Sequence, residues 1–361
     1  MKKIGIITFH RAKNYGAVLQ AYALQHTLEQ LGSDCEIVDY KCENIDNGYK
    51  PFQFNKADPI KSILKSIVMY RKRAQRIERF SSFYNNYLKI SDKTYSDLDI
   101  SECRKLYNAF ISGSDQVWGP GKDGVSPDTA YFLSFADNNQ KYSYAASFGV
   151  SDISDVKAKE LRPLLENFRS FSVREKSALN IIKKITGKNG LCHIDPTLLL
   201  KGDEWQKISV NKTDKPYILV FNVKPVKSLI DFAEKLSKEK GLPVIYITYN
   251  PQKKRENFNY VSAPTVEEFL GYFANAEYTV TNSFHGTAFS VIFHRNMFVE
   301  YETARGFNDR AKNLLQTVGI NREIKDGEAV ETNIDWNKVD EILQAERKLS
   351  LDYLKNITEE V

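Results

Sequence analysis

Hydrophobic positions along the chain alternate between short continuous runs and longer stretches with helical spacing. Residues 3–9, KIGIITF, are an apolar run of the kind found in a strand covered on both faces. After a polar loop, apolar residues recur every three or four positions up to Gly32, which predicts an amphipathic helix with a glycine stop. The run CEIVDY follows. A strand, a helix and a strand in this order predict a parallel sheet with right-handed crossovers.

The same alternation returns in both halves of the chain. Strands are predicted at AFISG, KYSYAAS, SFSVR and LCHID and, after Lys201, at YILVFNV, PVIYITY, EYTVTN and MFVEY. Helical patterns separate the later strands, one of them with Thr265 as its cap, and a final helix follows Asn333. A chain of 361 residues is too long for one core. We predict an α/β fold with two doubly wound domains, residues 1–200 and 201–334, and a terminal helix at 335–361.

The pattern weakens from about residue 43 to 100, except for one helix that begins near Ile60. Its apolar positions are Ile60, Ile63, Leu64, Ile67 and Val68, continued by Ala74, Ile77 and Tyr84. Its other face is basic, with Lys61, Lys65, Arg71, Lys72, Arg73, Arg76 and Arg79. A solvated basic face is the ordinary interpretation. The alternative is a helix that lies on an anionic membrane surface. Nucleic acid is not an expected partner, because the rest of the chain is nearly balanced in charge.

Composition adds few constraints. Hydrophobic residues make up 42% and charged residues 27% of the chain, which is ordinary for a soluble protein, and the net charge of +5 suits an acidic small substrate or an anionic surface. The four cysteines include no CxxC pair, so we expect neither a structural zinc site nor a redox pair. The start of the sequence is typical of a first strand, not of a signal peptide, and no apolar run is long enough to span a bilayer. We expect a cytoplasmic protein.

Small residues end two of the predicted strands. Ser114 follows AFISG, and Ser147 and Gly149 follow KYSYAA. In open α/β sheets the ligand binds beyond the carboxyl ends of the strands, and small residues there let backbone N–H groups approach it. Tight turns without a ligand are the alternative.

The segment TNSFHGTAFS, residues 281–290, is the strongest candidate for chemistry. A predicted strand leads directly into a helix that Asn282 or Ser283 can cap. Ser283, His285 and Thr287 then cluster around exposed N–H groups, which favour an anion. A histidine there can exchange protons near neutral pH. The alternative is a histidine that only packs or caps.

Other candidate residues follow predicted strands. Arg174 ends SFSVR, and Arg305 and Arg310 follow MFVEY; a guanidinium matches carboxylate or phosphate oxygens, although ion pairs or a solvated surface are the default for each. Asp115 could accept a hydroxyl proton or bind sugar oxygens, and Trp118 could stack on a sugar, with helix capping and core packing as the alternatives.

The first strand–helix junction carries Asn14, Tyr15 and Gly16. It lacks the GxGxxG pattern, so a dinucleotide site has no support. Among the other histidines, we interpret His193 as structural and His294 as a helix cap.

Six stretches in this order resemble the polysaccharide pyruvyl transferase family: NYGAVLQAYAL, ISGSDQVW, YAASFG, SVRE, DPTLLL and TNSFHGTAFS. The resemblance extends from about residue 5 to 315. It implies a glycosyltransferase-B-like fold, in which two Rossmann-like domains face each other across a cleft and the last helix returns to the first domain. It also implies transfer of pyruvate from phosphoenolpyruvate to a sugar as a ketal, with release of phosphate, in the synthesis of a polysaccharide such as an exopolysaccharide or capsule.

The resemblance also implies roles for individual residues. His285 matches the family's catalytic histidine, and Arg174 matches its phosphoenolpyruvate-binding arginine. Arg310 is our choice over Arg305 for a second cation, with Ser283 and Thr287 beside the donor. The expected acceptor side consists of Asn14, Tyr15, Gly16, Ser114, Asp115, Gln116 and Ser147. Many relatives have Asp where this chain has Asn282, which we interpret as a change in helix capping. No step of the reaction requires a metal or another cofactor.

Two other functions fit the same pattern. One is a glycosyltransferase that uses a nucleotide sugar, for which Glu323 and Glu331 have a possible spacing, although Gly327 between them argues against a helix. The other is a non-catalytic sugar-binding protein. The sequence does not identify the acceptor. A lipid-linked acceptor would explain the basic helix and would bring the protein to the inner face of the membrane.

Overall fold

Two parallel β-sheets with helices on their faces form the protein. The computed structural model describes residues 2–54, 58–121, 126–223, 225–249, 253–301 and 309–361. Both sheets follow the doubly wound order predicted from the alternating pattern.

The first sheet has strand order β3-β2-β1-β4-β5, with every pair parallel. Its strands are β1 (Lys3–Ile7), β2 (Asp34–Tyr40), β3 (Ile90–Tyr95), β4 (Ala109–Ser112) and β5 (Lys141–Ser143). A two-stranded parallel pair, β6 (Ser172–Val173) and β7 (Leu191–Cys192), extends it through a bridge between Ala146 and Val173. The helices are α1 (Tyr15–Gln30), α2 (Glu43–Gly48), α3 (Pro59–Tyr87), α4 (Asp155–Leu165) and α5 (Lys176–Thr186).

The second sheet has the order β10-β9-β8-β11-β12-β13, again all parallel. Its strands are β8 (Ile218–Phe221), β9 (Val244–Ile247), β10 (Phe258–Val261), β11 (Tyr278–Thr281), β12 (Asn296–Glu300) and β13 (Glu323–Ile324). The helices of this half are α6 (Gly202–Gln206), α7 (Lys227–Lys240), α8 (Val266–Ala274), α9 (Phe284–Ile292), α10 (Asp309–Thr317) and α11 (Trp336–Glu360).

Each sheet reverses its strand order at one point, between β1 and β4 and between β8 and β11. At such a switch the loops after the two strands turn to opposite faces and leave a crevice between them. The chain enters α1 from β1 through the loop at residues 8–14, and it enters α9 directly from β11. These two junctions carry the candidate site residues.

Helix starts agree with the capping residues in the sequence. The side chain of Asn14 accepts hydrogen bonds from the N–H groups of Gly16 and Ala17 at the start of α1. Thr265 caps α8 in a capping box with Glu268, which confirms the predicted cap.

The terminal helix α11 spans both halves of the molecule. Val339 and Leu343, near its start, pack in a core cluster with residues of the second sheet and its helices. Tyr353 and Leu354, near its end, belong to the core cluster of the first sheet, and the Tyr353 hydroxyl donates to the carbonyl oxygen of Ser143 in β5 at 2.9 Å. The expected return of the last helix to the first sheet is confirmed.

Helix α3 differs from the simple picture of an apolar inner face and a solvated basic face. Its second half is buried through Phe80 and Phe83, and the Arg79 guanidinium donates to the carbonyl oxygen of Ala263 in the other half of the molecule. In its first half the apolar side chains are exposed, Ile60 by 73% and Val68 by 76%. The predicted solvated basic face is present in the first half, where Lys61, Lys65, Arg71 and Lys72 are exposed, but in the second half Arg76 and Arg79 are partly buried against other segments.

Candidate active site

His285 lies at the start of α9, where a buried strand turns into a helix. Ser283 is the cap, because its hydroxyl accepts a hydrogen bond from the N–H of Gly286 at 3.3 Å. Asn282 does not cap; its side chain accepts from the N–H of Val223 instead, so our interpretation of Asn282 as a capping change was wrong. The hydroxyl of Thr287 donates to the carbonyl oxygen of Ser283 and is fully buried, which places it inside the helix, away from the crevice.

The imidazole of His285 is held between the two sheets. Its side chain is 11% exposed, and Nε2 lies 3.8 Å from Oδ2 of Asp195. Nε2 has no hydrogen-bond partner within the described part of the chain. Burial lowers the pKa of His285; the carboxylates of Asp195 and Asp115 oppose this, and the cations of Arg174 and Arg310 add to it. His285 is therefore neutral near pH 7, with one nitrogen available to a ligand.

Arg174 follows β6 and forms a buried ion pair with Asp195. Nη1 of Arg174 lies 2.7 Å from Oδ2 of Asp195, which also accepts a hydrogen bond from the Ser114 hydroxyl at 3.0 Å. Burial alone would raise the pKa of Asp195. The charge that His285 carries when it is protonated in acid, the charge of Arg174 and further hydrogen bonds lower that pKa to about 2. Nε and Nη2 of Arg174 are buried and find no hydrogen-bond acceptor among the residues described. On this side the guanidinium faces Asp115 at 3.6 Å and Glu175 at 3.8 Å without a hydrogen bond to either, so its N–H groups can still donate to a ligand.

Arg310, in α10, brings a second cation to the same place. Its guanidinium lies 5.7 Å from the ring centre of Phe284, and that of Arg174 lies 4.8 Å from the same ring. Nη1 of Arg310 is 3.9 Å from Oδ1 of Asp115. Burial lowers the pKa of Arg310 to about 10, and the charge of Arg174 contributes to the shift. Two buried guanidiniums around one ring favour an anionic ligand.

Asp115 follows β4 and has a strained backbone, with a φ of 74°. Its Oδ1 accepts from the N–H of Gln116 at 2.9 Å and lies 3.6 Å from Nη2 of Arg174. The carboxylate therefore lies between the two arginines. The side chain of Gln116 packs against Gly149, where an added methyl group would lie 2.7 Å from Cδ of Gln116.

Ser147 supports the site indirectly. It is fully buried, and its hydroxyl donates to Oε1 of Glu175 at 2.6 Å. Oε2 of Glu175 lies 3.8 Å from Nε of Arg174. The N–H of Gly149 in turn donates to the Ser147 hydroxyl at 3.0 Å. The small residues that end this strand thus hold a carboxylate beside Arg174.

The first strand–helix junction contacts the other half of the molecule. A methyl group placed on Gly16 would lie 2.0 Å from Nδ1 of His285, so only glycine allows this approach. Tyr15 is buried and its hydroxyl donates to the carbonyl oxygen of Pro264 at 2.7 Å. Its ring stacks on Phe269, with ring centres 4.1 Å apart. Tyr15 therefore joins the two halves.

The structure thus brings together His285, Arg174, Arg310, Asp115, Ser114 and Gly16, with Ser283 and Asn14 as helix caps. Arg305 lies outside the described residues. Trp118 is fully buried and its indole N–H donates to the carbonyl oxygen of Tyr131, as in the core-packing alternative. His193 is structural as expected, because Nδ1 shares a 2.8 Å hydrogen bond with the hydroxyl of Ser172.

Sequence reasoning did not select Asp195, Glu175 or Phe284. Asp195 ends the predicted strand LCHID and opens the stretch DPTLLL, a signal that could have identified it. Phe284 and Glu175 adjoin selected residues but have no distinctive pattern of their own. A cavity of about 240 Å³ adjoins the two arginines and Phe284.

Within the described ranges no three His, Cys, Asp or Glu side chains are arranged to hold a metal ion. No helix in those same ranges is long and apolar enough to cross a bilayer.

Several solved structures share this architecture at low sequence identity. A protein assigned as a UDP-N-acetylglucosamine 2-epimerase from Listeria monocytogenes is 10% identical; the match covers 98% of this chain and 90% of that one, with a TM-score of 0.50. S. aureus MnaA, solved with UDP, is 12% identical over 100% of this chain and 91% of that one, with a TM-score of 0.48. MurG of Acinetobacter baumannii is 9% identical over 100% of both chains, with a TM-score of 0.47. The first likeness shows the fold alone, a glycosyltransferase-B type with two Rossmann-like domains.

The sequence itself gives the family. No curated protein matches the chain significantly. The sequence profile of the polysaccharide pyruvyl transferases matches residues 14–300, a range that contains His285, Arg174 and Asp195. The chain therefore belongs to the polysaccharide pyruvyl transferase family.

Proposed function

We propose that the protein transfers pyruvate from phosphoenolpyruvate to two hydroxyl groups of a sugar, forming a cyclic ketal and releasing phosphate. The observation that carries this proposal is the buried pair Arg174 and Arg310 beside a neutral His285 whose Nε2 has no hydrogen-bond partner among the residues described. Phosphoenolpyruvate carries a carboxylate and a phosphate, which two guanidiniums can hold. Its C3 needs a proton donor, the role assigned to the histidine.

The donor itself supplies the condition for proton transfer. His285 is neutral in the empty site, because burial lowers its pKa. A bound phosphate brings negative charge next to the imidazole and raises its pKa, so the ring takes up a proton. The donor's oxygens can also accept hydrogen bonds from Nε and Nη2 of Arg174, which have no acceptor among the described residues.

The proposed reaction proceeds by addition of one hydroxyl, departure of phosphate and ring closure by a second hydroxyl. His285 gives a proton to C3 of phosphoenolpyruvate while C2 becomes cationic, and a sugar hydroxyl adds to C2 and loses its proton to the histidine. The C2–O bond to phosphate then breaks. The second hydroxyl bonds to C2 and gives its proton to the departing phosphate, which closes the ketal and leaves the histidine protonated as it began. The fixed guanidiniums stabilise the negative charge of the leaving phosphate.

Asp115 is the acceptor-side residue best placed for this reaction. Its carboxylate lies at the crevice, 18% exposed, between the two arginines. There it can accept a hydrogen bond from a sugar hydroxyl and orient it towards C2. The other residues expected on the acceptor side have supporting roles in this proposal. Asn14 caps α1 and Gly16 contacts His285, whereas Gln116 packs against Gly149. Ser114 holds Asp195 and Ser147 holds Glu175 through hydrogen bonds.

Calorimetric titration of phosphoenolpyruvate into the wild type and Arg174→Ala tests the donor. We expect saturable binding that is lost in Arg174→Ala and kept in Arg169→Ala, whose guanidinium pairs with Glu360 at the surface. Uridine diphosphate should not bind. Tight uridine diphosphate binding without phosphoenolpyruvate binding would contradict the proposal and favour a glycosyltransferase. Release of phosphate on mixing donor and acceptor separates an enzyme from a non-catalytic sugar-binding protein.

The glutamates considered for the glycosyltransferase alternative do not favour it. Glu323 is exposed, and Glu331 forms an ion pair with Lys240 at 2.8 Å.

We propose further that the first half of α3 contacts an anionic membrane, where a lipid-linked acceptor would be found. Its exposed apolar side chains, among them Ile60, Leu64, Ile67 and Val68, are accompanied by the exposed cations Lys61, Lys65, Arg71 and Lys72. An apolar stripe flanked by cations is suited to the boundary between acyl chains and anionic headgroups.

Liposome flotation tests this contact. The wild type should float with vesicles that contain anionic lipid and not with neutral ones. Ile60→Asp combined with Val68→Asp should abolish flotation, whereas Leu98→Asp, at a 90% exposed position elsewhere, should not. Flotation that does not depend on anionic lipid would contradict the proposal.

A further inference from the structure

Four side chains form a second polar cluster in the crevice, beside the loop between β1 and α1. We call Lys13, Tyr49, Arg76 and Tyr249 the cleft cation cluster. The Arg76 guanidinium lies 3.8 Å from the ring centre of Tyr249 and 5.3 Å from that of Tyr49. The same guanidinium donates to the carbonyl oxygen of Lys13. The cluster thus joins the end of β9 in one sheet to the β1–α1 loop of the other.

Lys13 and Arg76, the cations of this cluster, differ from the neighbouring Arg11. Arg11, in the same loop, pairs with Asp39 at 2.7 Å and with Asp46 at 3.2 Å. Lys13 and Arg76 form no such ion pair within the described part of the chain. Burial lowers the pKa of Lys13, the charges of Arg11 and Arg76 add to that shift, and the carboxylates of Asp46 and Asp39 oppose it only in part. Partly buried cations that repel one another are costly unless a ligand supplies negative charge.

One buried polar atom of the cluster also lacks a partner. Nε of Arg76 is shielded from solvent and forms no hydrogen bond with any described residue. The buried hydroxyl of Tyr249 has Tyr15 and Arg76 as its polar neighbours. Buried polar groups in proteins are nearly always hydrogen-bonded, so such atoms in a crevice call for a ligand or water. An N–H, a phenol and an ammonium group are all donors to an oxyanion.

The cluster lies on the acceptor side of the proposed reaction centre. Lys13 precedes Gly16, which packs against His285, by three residues. Burial raises the pKa of Tyr49, and the carboxylate of Asp115 raises it further against the effect of Arg76. Tyr49 is therefore close enough to Asp115 to feel its charge. An acceptor sugar at Asp115 would extend towards Lys13 and Arg76.

We propose that the cleft cation cluster binds a phosphate group carried by the acceptor saccharide. This inference rests on the proposed function for the identity of the saccharide as acceptor, but the anion site itself does not. Lys13 supplies a mobile point charge and Arg76 a fixed guanidinium, a combination suited to phosphate oxygens. The enzyme would then select a sugar phosphate, or a saccharide linked through phosphate, over the neutral sugar.

Pyrophosphate is the probe, and the donor site is removed first so that it cannot bind the probe. Arg174→Ala protein should bind pyrophosphate in a calorimetric titration. Adding Lys13→Ala should raise the dissociation constant for pyrophosphate about tenfold or more, as expected for the loss of hydrogen bonds to a charged group. Adding Lys13→Arg should restore most of the affinity. Adding Lys159→Ala, at an exposed lysine of α4, is the matched control and should have no effect.

The outcomes separate this inference from the proposed function. Equal pyrophosphate affinity with and without Lys13, or no pyrophosphate binding to Arg174→Ala protein, overturns the phosphate subsite and leaves phosphoenolpyruvate transfer standing. Lys13-dependent pyrophosphate binding in a protein that does not bind phosphoenolpyruvate supports the subsite and overturns the proposed function. Glucuronate that competes with pyrophosphate at equal concentration would overturn the choice of phosphate over carboxylate.

Discussion

Gly16 and His285 are in direct contact across the crevice between the two sheets. A methyl group on Gly16 would lie 2.0 Å from Nδ1 of the imidazole and 2.4 Å from Cγ and Cε1. The first turn of α1 therefore forms a flat wall for the ring, and it fixes the direction of Nε2 towards Asp195, 3.8 Å away. The position of the proposed acid in one domain depends on a missing side chain in the other.

Gly16→Ala should reduce turnover by displacing His285. Loss of a positioned general acid costs about 10²–10⁴-fold, and we expect an effect within that range on kcat. Phosphoenolpyruvate should still bind, because Arg174 and Arg310 are held by other elements, after β6 and in α10. Gly48→Ala is the control, since nothing lies within 4 Å of an added methyl there. Near-normal kcat in Gly16→Ala would show that proton transfer by His285 does not depend on its contact with Gly16.

Donor binding should be coupled to uptake of a proton by His285. Burial keeps its pKa low in the empty site, and the negative charge of the donor raises it, so protons are taken up near pH 7. Titrations in two buffers with different ionisation enthalpies measure the number of protons. The coupling should be absent in His285→Gln. Equal proton uptake by the variant would assign it to another group.

Asp195→Asn should shift the pH dependence of the reaction. The carboxylate of Asp195 raises the pKa of His285, so its removal lowers that pKa further. Because the proposed acid must be protonated, the fall in kcat/KM on the alkaline side should begin at lower pH. The control is Asp34→Asn, which removes a carboxylate paired with Lys89 near the surface. An unchanged profile in both variants would exclude this coupling.

Tyr15→Phe should weaken the junction between the two sheets. It removes the hydrogen bond from the Tyr15 hydroxyl to the carbonyl oxygen of Pro264 and keeps the stacking on Phe269. We expect the free energy of unfolding to fall by about 1 kcal/mol, or more because the Pro264 oxygen loses a buried donor. Tyr70→Phe, at an exposed tyrosine, should change nothing measurable in the same denaturant titration. Equal stability of both variants would contradict the predicted role of the bond.

His193 should make the protein sensitive to mild acid. Burial lowers the pKa of His193 from its ordinary 6.5 to about 4 in the folded protein. The unfolded chain then binds the extra proton between these values, so stability is full above pH 6.5 and declines as pH falls towards 4, by about 3 kcal/mol at most. In His193→Asn the free energy of unfolding should fall less steeply over this range. A parallel decline in the two proteins would show that other groups cause it.

Regular elements with strong patterns were predicted well. The continuous apolar runs became the central strands β1, β4, β8 and β11, and the helical repeat after residue 15 became α1. Strands β3 and β10 were not predicted. Both strands lie at sheet edges, where one side meets solvent and fewer positions need to be apolar. In β3, for example, the consecutive polar residues Ser91, Asp92 and Lys93 hide the strand pattern. The helices α4 and α5 were not predicted either, because only strands were predicted in this part of the chain.

Some residues of the candidate site were likewise predicted from the sequence, and others were found only in the structure. His285 and Arg174 were identified from their positions after predicted strands and from the family resemblance. The partner Asp195, the support of Glu175 by Ser147, and the shared ring Phe284 were not, because no sequence spacing relates positions so far apart in the chain.

The sequence by itself determined which residues end the central strands, because hydrophobic periodicity and capping preferences are local properties of the chain. It thereby determined the family, the two-sheet fold and most of the charged groups around the crevice. Only the tertiary structure decided which of these groups meet. It left Nε2 of His285 without a hydrogen bond from the described residues and set two guanidiniums around Phe284. It also exposed the apolar side chains in the first half of α3 while it buried those of the second half. Contacts between distant segments depend on how the two sheets pack against each other, and no local pattern encodes that packing.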